Sequence, residues 1–251
     1  LFQRIQQAKK SNPDLKVVLI DPRRTATGEM ADLHLPVKPG SDAVLFNGLL
    51  VYLDDQGDEN TLFTGAHTEG GVAALAAARA SAPTTAVVAG TCGLREKDVT
   101  QFYKWFSANE KNVSVYSQGI NQSASGTDKV NAIINCHLHT GRIGRPGMGP
   151  FSVTGQPNAM GGREVGGFAN QLAAHMNFDA DNVDRVRRFW NASNVAHQPG
   201  LKAVDLFRAV GEGKIKALWI MATNPAVSLP DADRVRAALA ESVPGWKEKA
   251  K

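Results

Sequence analysis

Guanidinium groups and glycines alternate in one stretch of the chain, residues 141–167, which reads GRIGRPGMGPFSVTGQPNAMGGREVGG. Nine of the 24 glycines lie in this glycine-rich stretch, together with Arg142, Arg145 and Arg163. Glycine adopts positive φ and lets other groups approach the backbone, and arginine binds planar or phosphorylated anions through paired N–H donors. The pattern predicts either an anion-binding loop or a long irregular connection with solvated arginines, and the residues alone leave both open.

Polar side chains follow three short apolar segments that are predicted to be strands. In an open α/β sheet, ligands bind beyond the carboxyl ends of the strands, so such side chains are candidate ligand contacts. The segments and their polar successors are residues 16–20 with Asp21-Pro22-Arg23-Arg24, residues 113–117 with Gln118 to Gln122, and residues 216–221 with Asn224. An Asp before Pro also initiates turns readily, so Asp21 has a purely local interpretation as well.

A second candidate anion site lies at a predicted helix start. The sequence predicts a helix from about residue 43 to residue 53, with Ser41 or Asp42 as its cap and Gly40 directly before it. The first N–H groups of a helix have no partner within it and favour negative charge.

Composition places the chain among soluble globular proteins, because 43% of its 251 residues are hydrophobic and 21% are charged. The formal net charge of +4 comes from dispersed lysines and arginines, so no nucleic-acid partner is expected. The sequence contains no apolar run of membrane-spanning length, and no membrane partner is expected.

The cysteines and histidines do not predict a metal site in this chain. Cys92 and Cys136 lack disulfide or CxxC spacing, which is typical of a reducing compartment and of small core residues. His137 and His139 are two residues apart and therefore lie on different sides of their predicted helix.

The order of the segments predicts an α/β fold, with mostly parallel sheets flanked by helices. A helix is also predicted over residues 164–176, after the glycine-rich stretch, and an aromatic stripe at Val99, Phe102, Tyr103 and Phe106 is typical of a core-facing helix. Because the chain lacks the GxSxG, P-loop and HExxH motifs, these patterns lead only to an anion- or nucleotide-binding α/β protein.

Four segments together resemble the molybdopterin oxidoreductases, and within them the bacterial assimilatory nitrate reductase type. The resemblance covers nearly the whole chain, and its segments occur in the same order as in that family. They are DPRRTATGEMADLHLPVKPGSDA, YSQGINQSASGTDKVNAIINCHL, TGRIGRPGMGPFSVTGQPNAMGGREVGG and MATNPAVSLPDA.

The resemblance implies reduction of nitrate to nitrite by oxygen-atom transfer, at a molybdenum held by two molybdopterin guanine dinucleotides. It implies a dinucleotide-binding-like α/β domain over residues 1–150 and part of a second α/β domain over residues 151–251. It also implies that Arg163 and Gln156 lie at the substrate funnel, where Arg163 would orient nitrate. The cofactor contacts that carry over are Ile20, Asp21, Pro22, Arg23, Arg24, Gly40, Ser41, Asp42, Gln118, Gln122 and Asn224.

The sequence departs from the family pattern in its cysteines. The N-terminal cysteine motif for a [4Fe-4S] cluster and the residue that ligates molybdenum have no counterpart in these 251 residues. The resemblance thus implies an interior segment of a larger cytoplasmic enzyme, inactive when isolated. Electrons would come from a ferredoxin, a flavodoxin or an NADH-linked subunit.

Two alternatives remain open on the sequence. One is another molybdopterin oxidoreductase, such as a formate dehydrogenase, and the other is a non-catalytic module that binds a nucleotide or an anion. For Arg163, the alternative role is a salt bridge at a helix start.

Overall fold

The structure of the protein, a computed structural model, describes residues 1–154 and 158–242. Contacts divide the chain into two compact units, Leu1–Val153 and the remainder from Thr154. The correspondence of residues 1–150 and 151–251 to the two enzyme domains stays a prediction.

The first unit contains two pairs of parallel strands. β1 (Val18–Ile20) pairs with β2 (Leu33–Leu35), with Val18 opposite Leu33, and β3 (Val113–Tyr116) pairs with β4 (Gly149–Ser152), with Val113 opposite Gly149. Parallel strands need a crossover connection, which lets helices cover the sheet. The predicted α/β class with parallel strands is confirmed.

Eight helices of the first unit surround these strands. They are α1 (Phe2–Ser11), α2 (Asp42–Asp55), α3 (Thr61–His67), α4 (Gly71–Ser81), α5 (Thr85–Cys92), α6 (Glu96–Ala108), α7 (Gln118–Asn121) and α8 (Gly126–His139), with a 3-10 turn at Ala26–Glu29. Residues 86–89, an apolar segment within α5, are helical because Thr84 caps the segment by accepting from the Val87 N–H. No single helix of the described residues is long and apolar enough to cross a bilayer, although α4 and α5 pass that test together as a bent pair.

The core of the first unit is built around α2. Leu45, Leu49 and Leu53 on this helix are fully buried, and α4, α5, α6 and α8 pack against it. The predicted aromatic stripe of α6 is confirmed as core, and the Tyr103 hydroxyl donates to the Leu45 carbonyl at 2.6 Å. Gly48 is required by this packing, because a Cβ there would lie 2.4 Å from Val88 Cγ2.

The second unit has helices but two small apolar clusters rather than one core. Leu172, Val183, Val186 and Val195 form one cluster, and Phe207, Ala226, Val235 and Leu239 form the other. Its elements are α9 (Ala159–Glu164), a 3-10 turn at Ala173–His175, α10 (Ala180–Phe189), α11 (Ala203–Gly211), α12 (Pro225–Ser228) and α13 (Ala232–Ser242).

Three local predictions are corrected by the structure. Residues 216–221 do not form a strand, since no strand of the described residues pairs with them and Trp219 is 89% exposed. Residues 164–176 do not form one helix, because the chain turns at Gly166 with φ +77° and helix α9 lies before it. The glycine-rich stretch contains a strand, β4, whose composition gave no signal and whose pairing comes from β3.

Candidate functional site

The Asp21 corner follows β1 and is fixed on three sides. The Asp21 N–H donates to the Leu35 carbonyl at 3.3 Å, its carbonyl lies 2.9 Å from His34 Nε2, and its Oδ1 accepts from the Arg23 N–H at 2.7 Å. Since a carbonyl only accepts, His34 carries its proton on Nε2 in this contact. These bonds hold the Asp21 carboxylate at the edge of the β1–β2 pair. The interpretation of Asp21 as a turn residue is confirmed by the bond from the Arg23 N–H to Oδ1. The second carboxylate oxygen, Oδ2, can accept hydrogen bonds from a ligand.

The two arginines of this corner are both exposed. Arg23 extends from the turn itself, and the stem of Arg24 packs beside buried Gly28, where a Cβ would lie 3.3 Å from Arg24 Cγ. Pro22 is exposed as well, and Ile20 packs against the core of the first unit. The corner therefore presents one carboxylate and two guanidinium groups to solvent.

The start of α2 follows the carboxyl end of β2 after residues 36–41, and that end of β2 lies beside the end of β1. Gly40 has φ +91° and open space where a Cβ would project, and Ser41 is the N-cap. The Ser41 hydroxyl does not cap the helix but donates back to the Lys38 carbonyl at 2.7 Å, and Asp42 is the acidic residue of the first turn. The prediction of Ser41 as the cap residue is confirmed, but its side chain makes no cap hydrogen bond, so the first N–H groups of α2 keep no side-chain cap.

An ion pair links this helix start to α8. Lys129 Nζ lies 2.8 Å from an Asp42 carboxylate oxygen, and the lysine side chain is 4% exposed. Lys129 escaped notice in the sequence although it falls on the buried face of α8, four residues before Ile133 and eight before His137. A lysine on the otherwise apolar face of a helix is the sequence pattern that indicates such a buried ion pair.

Gln118 and Gln122 lie just before α8. Gln118 begins α7 directly after β3, and Gln122 is the residue that ends α7, so both follow a strand as predicted, although on a short helix rather than a loop. Both side chains are exposed. This segment contacts α8, and the Lys129–Asp42 pair connects α8 to the start of α2.

The arginines at the beginning of the glycine-rich stretch serve the fold. Arg142 donates to the Phe106 and Ser107 carbonyls, each at 2.8 Å, and its guanidinium lies 5.5 Å from the centre of the Phe106 ring. Arg145 donates to the Gly141 carbonyl at 3.0 Å. Arg142 thus satisfies the last carbonyls of α6, and its interpretation as an anion donor is wrong. Arg145 is exposed, and its interpretation as an anion donor stays a prediction.

His137 connects α8 to β3 beneath this stretch. Its Nδ1 lies 3.0 Å from the Arg142 carbonyl and its Nε2 lies 2.8 Å from Ser114 Oγ, so the neutral ring donates from Nδ1 and accepts at Nε2. Burial lowers the pKa of His137 from 6.5 to about 4. His137 is therefore a neutral structural residue at physiological pH.

Arg163 lies in the second unit, near the end of α9, and its side chain is exposed. The guanidinium lies 5.6 Å from the centre of the Phe168 ring, and the Arg163 carbonyl accepts from Gln171 Nε2 at 2.9 Å. Gly166 makes the tight turn after it, because a Cβ there would lie 2.8 Å from the Ala173 nitrogen. No carboxylate of the described residues pairs with Arg163, so its guanidinium is available to an anion.

Asn224 lies directly before α12, and Gln156 lies outside the described residues. The Asn224 carbonyl accepts from the Val227 and Ser228 N–H groups, whereas its exposed side-chain amide makes no cap hydrogen bond. Asn224 thus follows an extended segment rather than the predicted strand. Its amide remains open to a ligand.

The cysteines are buried in the first unit. Burial raises the pKa of Cys92 and Cys136 above the usual value of a thiol, and Cys136 Sγ lies 3.3 Å from the Phe46 carbonyl. Both behave as small core residues. The described residues contain no group of three or more His, Cys, Asp or Glu side chains that could hold a metal ion.

Comparison with known proteins identifies the family. The model of the molybdopterin oxidoreductase family matches residues 2–243, almost the whole chain. This chain belongs to the molybdopterin oxidoreductase family. The name of the family denotes oxidoreductases with a molybdopterin cofactor.

Several similar members of the molybdopterin oxidoreductase family are nitrate reductases. A nitrate reductase of Klebsiella oxytoca is 52% identical over 240 residues, which are 96% of this chain and 27% of the relative. A nitrate reductase of Shewanella frigidimarina is 50% identical over 241 residues, 96% of this chain and 26% of the relative. The assimilatory nitrate reductase catalytic subunit of Bacillus subtilis is 33% identical over 224 residues, 88% of this chain and 31% of the relative.

A solved structure has the same fold. Acetylene hydratase from Pelobacter acetylenicus superposes with a TM-score of 0.63 over 95% of this chain and 34% of that one, at 17% identity. This likeness concerns the fold alone. The chain spans about a quarter to a third of the length of the relatives it matches.

Proposed function

We propose that this chain is an interior segment of a molybdenum-dependent nitrate reductase that reduces nitrate to nitrite. The observation that carries the proposal is identity of 52% and 50% to two nitrate reductases over 96% of the chain. Because those relatives are three to four times longer, the remaining parts of the enzyme supply the molybdenum ligand and the cluster ligands. The two cysteines of the chain are buried in its core, which supports this division of roles.

We propose the guanine dinucleotide form of the cofactor because the donor set of the first unit fits it. Guanine offers two neighbouring N–H donors, and the Asp21 carboxylate has an open oxygen to receive them. A diphosphate needs cations and main-chain N–H groups, which Arg23, Arg24 and the start of α2 after Gly40 provide.

Each unit, taken by itself, presents further side chains that we propose as cofactor contacts. In the first unit, Gln118 and Gln122 present exposed amides after β3, and Ile20, Pro22, Ser41 and Asp42 complete the corner around Asp21. In the second unit, Asn224 presents an open amide before α12. Side-chain amides both donate and accept, which suits the mixed polar edge of a pterin.

For substrate binding, we propose that Arg163 attracts and orients nitrate and that Gln156, which is outside the described residues, also belongs to the substrate funnel. A planar guanidinium matches a planar oxyanion in shape and hydrogen-bond direction. Contact with Phe168 restricts the side chain without neutralising it, so the charge remains for the anion. When bound, the molybdenum would supply the two-electron oxygen-atom transfer, and Arg163 would hold the nitrate and stabilise its negative charge.

The electron path and location are also part of the proposal. A [4Fe-4S] cluster outside this chain would receive electrons from a ferredoxin, a flavodoxin or an NADH-linked subunit. The four segments that resemble the assimilatory type, and the similarity to the Bacillus subtilis subunit, support an assimilatory role in the cytoplasm. Cell fractionation and activity assays with each reduced donor test these points.

Arg163→Ala in the complete, cofactor-loaded enzyme tests the substrate assignment. Loss of one charge-assisted contact is expected to lower kcat/KM for nitrate by roughly ten- to a hundred-fold, equivalent to about 1.5–3 kcal/mol. Arg185→Ala is the matched control, because Arg185 is an exposed arginine of α10 in the same unit. Steady-state kinetics at limiting nitrate measure both.

The outcomes separate the alternatives. An Arg163→Ala enzyme with the kcat/KM of the wild type would remove Arg163 from nitrate binding. A complete enzyme that oxidises formate and does not reduce nitrate would make the chain part of a formate dehydrogenase instead. A complete coding sequence without a cysteine motif for the cluster and a molybdenum-ligating residue would identify a non-catalytic module.

A further inference from the structure

Lys129 is the only lysine or arginine that is buried among residues 1–154 and 158–242. Its ammonium group lies 2.8 Å from the carboxylate of Asp42, whose side chain is 14% exposed. The pair joins the first turn of α8 to the first residue of α2. It therefore lies at the helix start where the proposed dinucleotide would place its diphosphate.

Stability alone does not explain this pair. Taking a lysine out of water costs more free energy than its attraction to one carboxylate usually returns. Asp42 does not need the lysine either, because a carboxylate in the first turn of a helix is already stabilised by the helix dipole. What Lys129 changes is the charge at this helix start.

The charge matters because an anion would have to bind there. Asp42 alone would present a full negative charge beside the free N–H groups of α2, and it would repel a diphosphate at short range. With Lys129 next to it, the pair is neutral and the N–H groups keep their attraction for an anion.

The position of Lys129 also ties two candidate cofactor segments together. The start of α8 packs tightly on the end of α7, since a Cβ at Gly126 would lie 2.4 Å from the Asn121 carbonyl oxygen. Lys129 then reaches from this helix to Asp42. The segment with Gln118 and Gln122 is thereby fixed relative to the start of α2.

We propose that Lys129 is a positioning residue that neutralises Asp42, so that the start of α2 accepts the diphosphate of a guanine dinucleotide; this inference rests on the proposed function. Lys129 acts through Asp42 and the helix start, without contact to the cofactor. Its effect is therefore on the phosphate part of the ligand and not on the base.

Nucleotide binding to the complete protein, produced without its cofactor, tests the proposal. GDP represents the guanosine diphosphate part of the dinucleotide, and guanosine represents the same part without phosphates. Lys129→Met is expected to weaken GDP binding by about tenfold at low salt, from one unbalanced charge near the diphosphate, and to weaken guanosine binding less than about twofold. Isothermal titration calorimetry measures both affinities.

Two further variants separate charge from packing. Lys129→Arg keeps the positive charge beside Asp42 and is expected to retain GDP binding to within about threefold of the wild type. Lys9→Met is the matched control, because Lys9 pairs with Asp32 at 2.6 Å, and Asp32 precedes β2 at the opposite end of that strand from α2. Lys9→Met should leave GDP affinity unchanged.

Three binding results would each overturn the proposed role of Lys129. If Lys129→Met weakens guanosine and GDP equally, or if Lys129→Arg loses as much GDP affinity as Lys129→Met, the charge of Lys129 does not act on the diphosphate and the proposal is wrong. If the wild type prefers GDP over guanosine and Lys129→Met matches it, the proposal fails while the dinucleotide site stands. A wild type that binds neither ligand overturns the dinucleotide site and this proposal together.

Discussion

The two units differ in how far their own residues enclose an apolar core. In the first unit, α2 lies inside one continuous cluster, with Leu45, Leu49 and Leu53 fully buried. In the second unit, the buried apolar side chains instead form two separate clusters of four residues each. The first unit thus carries its stability within its own residues to a greater degree than the second.

The two units also differ in how many non-glycine residues have a positive φ. All six non-glycine residues with positive φ among the described residues lie in the second unit, whereas such positions in the first unit are glycines. Two of the six are close to candidate site residues, because Asn158 caps the helix of Arg163 and Ala222 lies two residues before Asn224. Unfavourable backbone conformations cluster at functional sites in proteins, and their position here supports the proposed roles of Arg163 and Asn224.

The largest expected effect contrasts one buried and one exposed side chain. Leu49→Ala should lower the free energy of unfolding of the first unit by about 2–5 kcal/mol, because it leaves a cavity beside α2. Trp219→Ala removes a larger side chain but should change the stability of the second unit by less than about 0.5 kcal/mol, since that side chain is already in water.

Hydrogen exchange in the helices of each unit measures these free energies separately. A loss of more than about 2 kcal/mol in Trp219→Ala would contradict the contrast between the units, because it would mean that Trp219 packs in solution. Leu62→Ala is a control within the first unit, since Leu62 is 88% exposed.

The sequence predicted the first unit better than the second for a physical reason. Apolar spacing reports burial, and the helices at α2, α6 and α8 bury one face each within the chain itself. Residues 216–221 have the same apolar spacing as a strand, but a strand also needs a partner, and the described residues provide none. The apolar residues at 216–221 favour an extended backbone, but without a neighbouring strand they do not form part of a sheet.

A second effect distinguishes the units by pH. Burial lowers the pKa of His137 to about 4, so between pH 6.5 and 4 the folded chain binds fewer protons than the unfolded chain. The stability that depends on neutral His137 is complete above pH 6.5 and is lost as pH falls toward 4, by roughly 3 kcal/mol. Protection of α8 and β3 against hydrogen exchange should fall over this interval.

Helix α10 of the second unit contains no histidine, so it should lose much less protection over the same interval. His137→Gln should flatten the pH dependence of α8, because its amide cannot take up a proton. A pH dependence that persists in His137→Gln would assign it to other groups.

The smallest effect concerns the backbone of the second unit. Ala222 has φ +56°, a region that costs an alanine roughly 1–2 kcal/mol, and glycine avoids this cost but loses more chain entropy on folding. Ala222→Gly should therefore stabilise the second unit by about 0.5–1 kcal/mol. Ala237→Gly in the middle of α13 should destabilise it by a similar amount, and equal signs for the two variants would contradict the strain at Ala222.

Site residues were predictable where a short local pattern creates them. The turn at Asp21 follows from Asp-Pro after a strand, and the open helix start follows from Pro-Gly-Ser-Asp before α2. Arg142 and Lys129 were not predictable in their roles, because the Phe106 carbonyl and the Asp42 carboxylate are 36 and 87 residues away. Contacts at such separations depend on the packing of α6 and α8.

The exposed Trp219 side chain can serve as an intrinsic fluorescent probe. The chain has four tryptophans, so the probe is a variant in which Trp105, Trp190 and Trp246 are replaced by phenylalanine. Trp219 is 89% exposed, and its fluorescence in this variant should have a long-wavelength maximum that iodide quenches readily. Any polypeptide that covers residues 214–221 would shift this emission to shorter wavelength and protect it from iodide. The Trp219 side chain therefore reports whether another polypeptide covers this part of the second unit, and the measurement needs neither cofactor nor substrate.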